Sequence, residues 1–214
     1  MILTHTLFSG SPPVTRWGAT QGQQDLGTDL VRHMQAADQP VVILNFAGIE
    51  AANASYVRAT ALWVLRCALK GREVGDDLQS ADPWRIQPLA LGGFFLEGLS
   101  EEVRNDIGVQ LSEGRLACAE VIERDGEEIR TVAILGHLDT QLRRTLKCLV
   151  ELGGDCTADR LWKHFAQDGI GPTGWNNRLA ELYQRHLINR RKEGKFWKYF
   201  TTFKEVADGI RLFT

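Results

Sequence analysis

Five cations, Arg190, Arg191, Lys192, Lys195 and Lys198, crowd into the run RRKEGKFWK around a single glycine. Cations at this density can neutralise several phosphates of a polyanion, with affinity that falls steeply as salt rises. Just upstream, GPTGWNNRLAELYQRH carries a second set of polar groups. If Trp175, Leu179, Leu182 and Tyr183 face a core, helical geometry turns Asn177, Arg178, Glu181 and Arg185 outward and leaves Asn176 near the helix start. Asn can pair bidentately with adenine and Arg with guanine. The helix start at Thr173 and Gly174 can take a phosphate. The chemistry expected of this region is therefore recognition of double-stranded DNA. The competing reading is an ordinary surface helix beside an edge strand guarded by lysines.

Other chemistry has little to start from. The histidines at 5, 33, 137, 164 and 186 are far apart and fall in no metal-ligand spacing. Cys67, Cys118, Cys148 and Cys156 form no CxxC pair and sit among aliphatic neighbours, as small core residues do. LGG and ELGGD lack phosphate-loop spacing, GGFF at 92 to 95 reads as a turn, and GxSxG does not occur. We expect no catalytic residues, no metal and no cofactor, and hence not an enzyme.

Charge divides the chain. Residues 139–214 hold 14 Lys and Arg against 9 Asp and Glu, while residues 1–138 hold 11 against 18. The opposite signs suggest two units with different partners, the basic one suited to a polyanion. Hydrophobic residues at 43% and charged residues at 24% are ordinary for a folded domain. The N-terminus has no leader pattern and no window reaches membrane-span length, so a cytoplasmic protein is the expectation.

The elements that must position these groups follow from periodicity. Leu26, Leu30, Val31 and Met34 have helical spacing, and PVVILNFAGI at 40 to 49 reads as a strand buried on both faces. Tyr56, Thr60, Trp63, Val64 and Cys67 mark a second helix ending at Gly71. A loop and a short strand near Leu89 to Leu91 come next, then a helix capped by Ser100 and stopped at Gly114. Asp125-Gly126 signals a hairpin between strands at 115–123 and 128–135. From Asp139 the texture turns to closely spaced helices: one capped by Asp139 or Thr140, one by Thr157, and the third beginning near Pro172. Two short strands around Glu193-Gly194 complete the set, with Trp162, Trp175, Trp197 and Tyr199 assigned to packing. FKEVADGIRLF is a candidate closing helix.

Three short helices followed by a basic hairpin resemble a winged helix-turn-helix domain over Asp139 to Phe203. The resemblance implies that the third helix enters the major groove and the hairpin, or wing, contacts the backbone or minor groove. The stretch PVVILNFAGIEAANASYVRATALWVL is similar to the STAS-like domains of bacterial regulators, whose relatives antagonise anti-sigma factors. The matching pieces are Asn45-Phe46, Gly48-Ile49 and Ala54-Ser55-Tyr56, with Asn45 where an Asp is usual and Ala54 in place of a hydroxyl residue. That resemblance implies a phospho-switch at Ser55, acted on by a partner kinase. Alternatively, Ser55 only caps its helix.

The reading is thus an α/β chain: a STAS-like α/β sandwich over 1–138 and a winged helix-turn-helix domain over 139–214, joined near Gly136 to Asp139. The expected function is that of a DNA-binding transcriptional regulator, a homodimer if its site is palindromic. The alternative is a protein-interaction switch that acts through the Ser55 turn on a kinase or sigma-factor regulator without binding DNA.

Overall fold

The computed structural model describes residues 1–10, 14–74, 84–86 and 88–207. β1 (Ile2–Thr6), β3 (Val41–Asn45), β5 (Gly93–Glu97) and β6 (Ala117–Asp125) lie parallel in that order. β7 (Glu128–Gly136) turns back antiparallel to β6, and β11 (Phe203–Val206) adds parallel to β7 as the far edge. A small parallel pair, β2 (Val14–Arg16) with β4 (Ile49–Ala52), forms a separate two-stranded sheet. The fold is mixed α/β with a mostly parallel central sheet.

Strand alternation sends successive side chains to opposite faces, and both faces are apolar. Val42, Leu44, Phe94, Leu96, Cys118 and Leu135 belong to one buried cluster with residues of α1 (Ala19–Leu26), α2 (Thr28–Ala36), α3 (Ala54–Ala59), α4 (Ala61–Val74) and α5 (Glu101–Glu113). Ile43, Phe95, Ala117, Ala119 and Ile134 belong to the other, with Leu142, Leu146 and Leu149 of α6 (Thr140–Glu151). The same cluster takes in Leu161 of α7 (Ala158–His164) and Trp175, Leu179 and Leu182 of α8 (Pro172–Gln184). The continuous apolar run at 41 to 44 is explained by this double burial.

α6, α7 and α8 are joined by a three-stranded antiparallel sheet in the order β8 (Asp155–Cys156), β10 (Phe196–Phe200), β9 (Asn189–Glu193). Asp139 caps α6 by accepting from Leu142 N at 2.8 Å, and Thr157 caps α7 by accepting from Arg160 N at 3.3 Å. Pro172 opens α8, where its missing N–H costs nothing. Ser100 accepts from Val103 N, and α5 stops at Gly114, as the sequence indicates.

Several expectations change. Gly27, at φ +71°, splits the first helix into α1 and α2, and the second breaks at Thr60. The strand expected through residue 49 ends at Asn45, because a turn through Gly48, at φ +84°, leads into β4. Residues 88–91 are not a strand; GGFF, expected as a turn, opens β5. β1, β2 and β8 carry no strong signal of their own. The closing helix is replaced at its start by β11, whose Phe203 finds buried contacts in the sheet; residues 208–214 of that reading lie outside the described residues, as do residues 75–83 of the expected loop.

A parallel pair needs a long crossover connection. Between β7 and β11 that crossover is everything from α6 to β10. Leaving the sheet, Gly136 sits at φ +79°, where a Cβ would fall 2.5 Å from both Leu111 Cβ and the Leu116 carbonyl. On the return side, Thr201 N donates to the Gly154 carbonyl at 2.8 Å and Ala207 N to the Val132 carbonyl at 2.8 Å.

Candidate nucleic-acid interface

Buried Trp175, Leu179 and Leu182 orient α8. Thr173, Asn176 and Asn177 are consequently exposed. Asn176 Oδ1 accepts from the buried Tyr199 hydroxyl at 3.3 Å, which fixes one end of the amide and leaves its NH₂ as a donor. Burial pushes the Tyr199 phenol up from its usual range, so it stays protonated and donating at neutral pH.

The cations of the region divide into groups. Arg178 is half-buried and donates to Gln141 Oε1 at 2.9 Å, tying α8 to α6. Arg185 is turned along its own helix to Glu181, at 2.9 and 3.1 Å, and reaches the Arg115 carbonyl at 3.3 Å. Arg190 is held between two rings, 4.2 Å from the centroid of Tyr183 and 4.2 Å from that of Trp197. Arg191 pairs with Asp155 at 2.8 Å and lies over Phe200. Lys198 bridges Asp155 and Glu193 at 3.3 and 3.6 Å. Lys192 and Lys195 flank the hairpin turn and are exposed, with Lys195 over the Phe196 ring at 5.3 Å.

α8 and the hairpin meet around one cleft of about 560 Å³, lined by Thr157, Ala158, Asp159, Pro172, Thr173, Asn176, Phe196 and Trp197. Two aromatics expected in the core are exposed instead: Trp197 at 41% and Trp162 at 39%. Residues 191–197 of the hairpin are exposed on both of its faces, so alternation alone does not bury Trp197. Trp175 and Tyr199 are buried as expected. Phe196, 59% exposed, is the aromatic that the sequence reading left without a role.

On the other side of the molecule, Ser55 is exposed in the first turn of α3 but does not cap it. Asn53 does, accepting from Tyr56 N at 2.9 Å and also from Gly18 N at 3.1 Å. Asn45 Oδ1 accepts from Ala47 N at 2.8 Å, stabilising the turn after β3.

A polar hub beneath this turn was not legible, since its members are scattered through the first 56 residues. Asp25 Oδ2 accepts from Tyr56 Oη and pairs with Arg16 Nε, both at 2.9 Å; Oδ1 accepts from Gln21 at 2.7 Å. Burial first, and then the bond and charge of Asp25, push the Tyr56 phenol far above its usual range. Asp25 thereby joins α1, β2 and α3.

A second hub joins α5 to the sheet. Arg104 grips both oxygens of Glu120 at 2.7 to 3.1 Å and also donates to the Leu99 carbonyl. Glu120 is 2% exposed, and its hydrogen bond raises the arginine's pKa further. Among the described residues, no cluster of His, Cys, Asp or Glu has the makings of a metal site, and no helix is long and apolar enough to cross a membrane.

Compared with protein-family models, curated proteins and solved structures, the chain matches none.

Proposed function

We propose that this chain is a DNA-binding transcriptional regulator. In this reading, α6 to α8 with the β8-β10-β9 sheet act as a winged helix, while the remaining α/β layers act as a STAS-like sensing or docking unit. The observation that carries it is the meeting of α8 and the hairpin at one cleft: Thr173 and Asn176 stand on one side, Phe196 and Trp197 on the other, with exposed Lys192 and Lys195 at the hairpin turn. A helix that presents Asn side chains beside a basic hairpin offers both base-edge pairing and phosphate neutralisation.

Arg178, Arg185, Arg190, Arg191 and Lys198 already have partners within the chain. Their role in the proposal is to hold α8 and the hairpin in place, with Arg191 also near phosphate, while Asn176, Asn177, Lys192 and Lys195 make the outward contacts. A homodimer on a palindromic site follows the same logic. An electrophoretic shift on random genomic fragments at low and high salt tests the proposal. Binding should weaken strongly with salt and should be reduced by Lys192→Ala with Lys195→Ala. Absence of a shift at low salt sinks it.

Trp17 favours a second reading. It is 66% exposed, and its neighbour Gly18 is bonded to the same Asn53 that caps α3 beside Ser55. An exposed tryptophan next to a modifiable serine fits a protein-docking turn, the role of a non-DNA-binding switch acting on a kinase or sigma-factor regulator. A partner that binds wild type and is lost on both Trp17→Ala and Ser55→Glu supports this reading, and equal binding of all three forms excludes it.

A further inference from the structure

We infer that the cleft between α8 and the hairpin takes an unpaired base, so that the protein prefers DNA whose duplex ends in, or is interrupted by, single-stranded nucleotides. The inference rests on the DNA-binding reading above and deepens it. Trp197 is the centre of the case. Arg190 stacks over its ring with the guanidinium carbon 4.2 Å from the centroid and is itself backed by Tyr183. The indole is thereby held in one orientation before any ligand arrives, which lowers the ordering cost of binding.

Trp197 nevertheless remains 41% exposed and lines the cleft, beside Phe196 at 59%. Two exposed aromatic rings lining one concave site offer a surface on which a planar group can lie. Every base has a π-face, and stacking on an aromatic platform is tolerant of sequence.

The surrounding groups match a nucleotide better than an apolar peptide. Lys192 is the cross-strand partner of Trp197 and is exposed, so a cation stands beside the platform where a phosphate would follow a stacked base. Thr157, Thr173 and Asn176 line the same cleft and supply donors and acceptors for a base edge. Asp159, also in the lining, is paired with Lys163 at 2.7 Å; it accepts hydrogen bonds from an exocyclic amine and, by its charge, steers phosphate towards the lysine side of the cleft. A base pair inside an intact duplex cannot offer its face to a protein ring without unstacking, whereas an overhang or bubble can.

The experiment compares a labelled blunt duplex with the same duplex carrying a short unpaired end, by fluorescence anisotropy on the full chain at two salt concentrations. Wild type should bind the overhang roughly ten-fold more tightly than the blunt duplex, on the scale of one stacked base. Phe196→Ala and Trp197→Ala should each reduce that ratio, the second to near one, while Trp197→Phe retains most of it. Circular dichroism checks folding, and the exposed Phe196 provides the variant least able to disturb it. Equal binding of both DNAs by wild type overturns this inference and leaves the DNA-binding proposal standing. If neither DNA binds, the proposal fails and the inference with it. Binding to the overhang alone supports the inference and rejects duplex recognition.

Discussion

Phe203 meets Phe95 edge to face, with ring centroids 6.3 Å apart and planes inclined at 83°. One ring lies on β11, the other on the middle of the parallel sheet, so residues 108 positions apart in sequence share one buried contact. The pair locks the end of the helical module onto the parallel strands.

Phe203→Ala should therefore lower stability by about 3 to 5 kcal/mol, the range for removing a buried phenylalanine ring. Because β11 and α6 share the apolar cluster that contains this ring, the loss should appear in helical and sheet signals together. Urea unfolding followed by circular dichroism and by tryptophan fluorescence checks this: coincident curves, both shifted, are expected.

The partition of cations at the proposed interface gives a sharper contrast. Lys192→Ala and Lys195→Ala should each reduce the slope of log affinity against log salt by about 1, as removal of one phosphate contact does. Arg185→Ala should leave that slope unchanged, because its guanidinium is spent on Glu181 and the Arg115 carbonyl. Anisotropy titrations at several salt concentrations measure all three.

At the α3 turn the two candidate caps predict opposite outcomes. Asn53→Ala removes an acceptor used by both Tyr56 N and Gly18 N and should cost about 1 to 2 kcal/mol. Ser55→Ala should be within about 0.5 kcal/mol of wild type, as exposed substitutions usually are. Thermal or urea melts of the two variants distinguish them.

Burial raises the pKa of three of the buried thiols. It pushes Cys156 up to about 11 and Cys118 higher still, while Cys148 is raised less. A folded-state pKa above the ordinary value means stability is intact below the unfolded thiol's pKa and is lost as pH climbs from about 9 towards the folded value. Stability should consequently fall on the alkaline side, and a thiolate-selective reagent at pH 8 should label none of the four buried cysteines until the chain is unfolded. Replacing Cys156 with Ser would remove part of the alkaline loss.

What the sequence made legible was local. The caps at Ser100, Asp139 and Thr157, the hairpin at Asp125-Gly126 and the three-helix run with its basic strands all follow from neighbours within a few residues. β1 was not legible, since ILTHT has weak alternation and is paired only through residues 41–45, far along the chain. β8 is two residues long and exists because Tyr199 and Phe200 pair with it. The same distance problem hid the partners of the candidate site. Nothing near Arg178, Arg185 or Arg191 in sequence announces Gln141, Arg115 or Asp155, so their partners within the chain emerge only from the fold. Trp197 shows the reverse: hydrophobic type and alternation suggested a core, yet it stands 41% exposed beside Phe196 in a hairpin whose residues 191–197 are all exposed.

The crossover between β7 and β11 gives the helical module two anchor points on one sheet rather than a single tether. A module hung from one linker swings; one clamped at both ends moves only as its support does. Tilting α8 and the hairpin away from the sheet would have to break the β7–β11 pairing as well as bend the chain at Gly136, where a Cβ has no room.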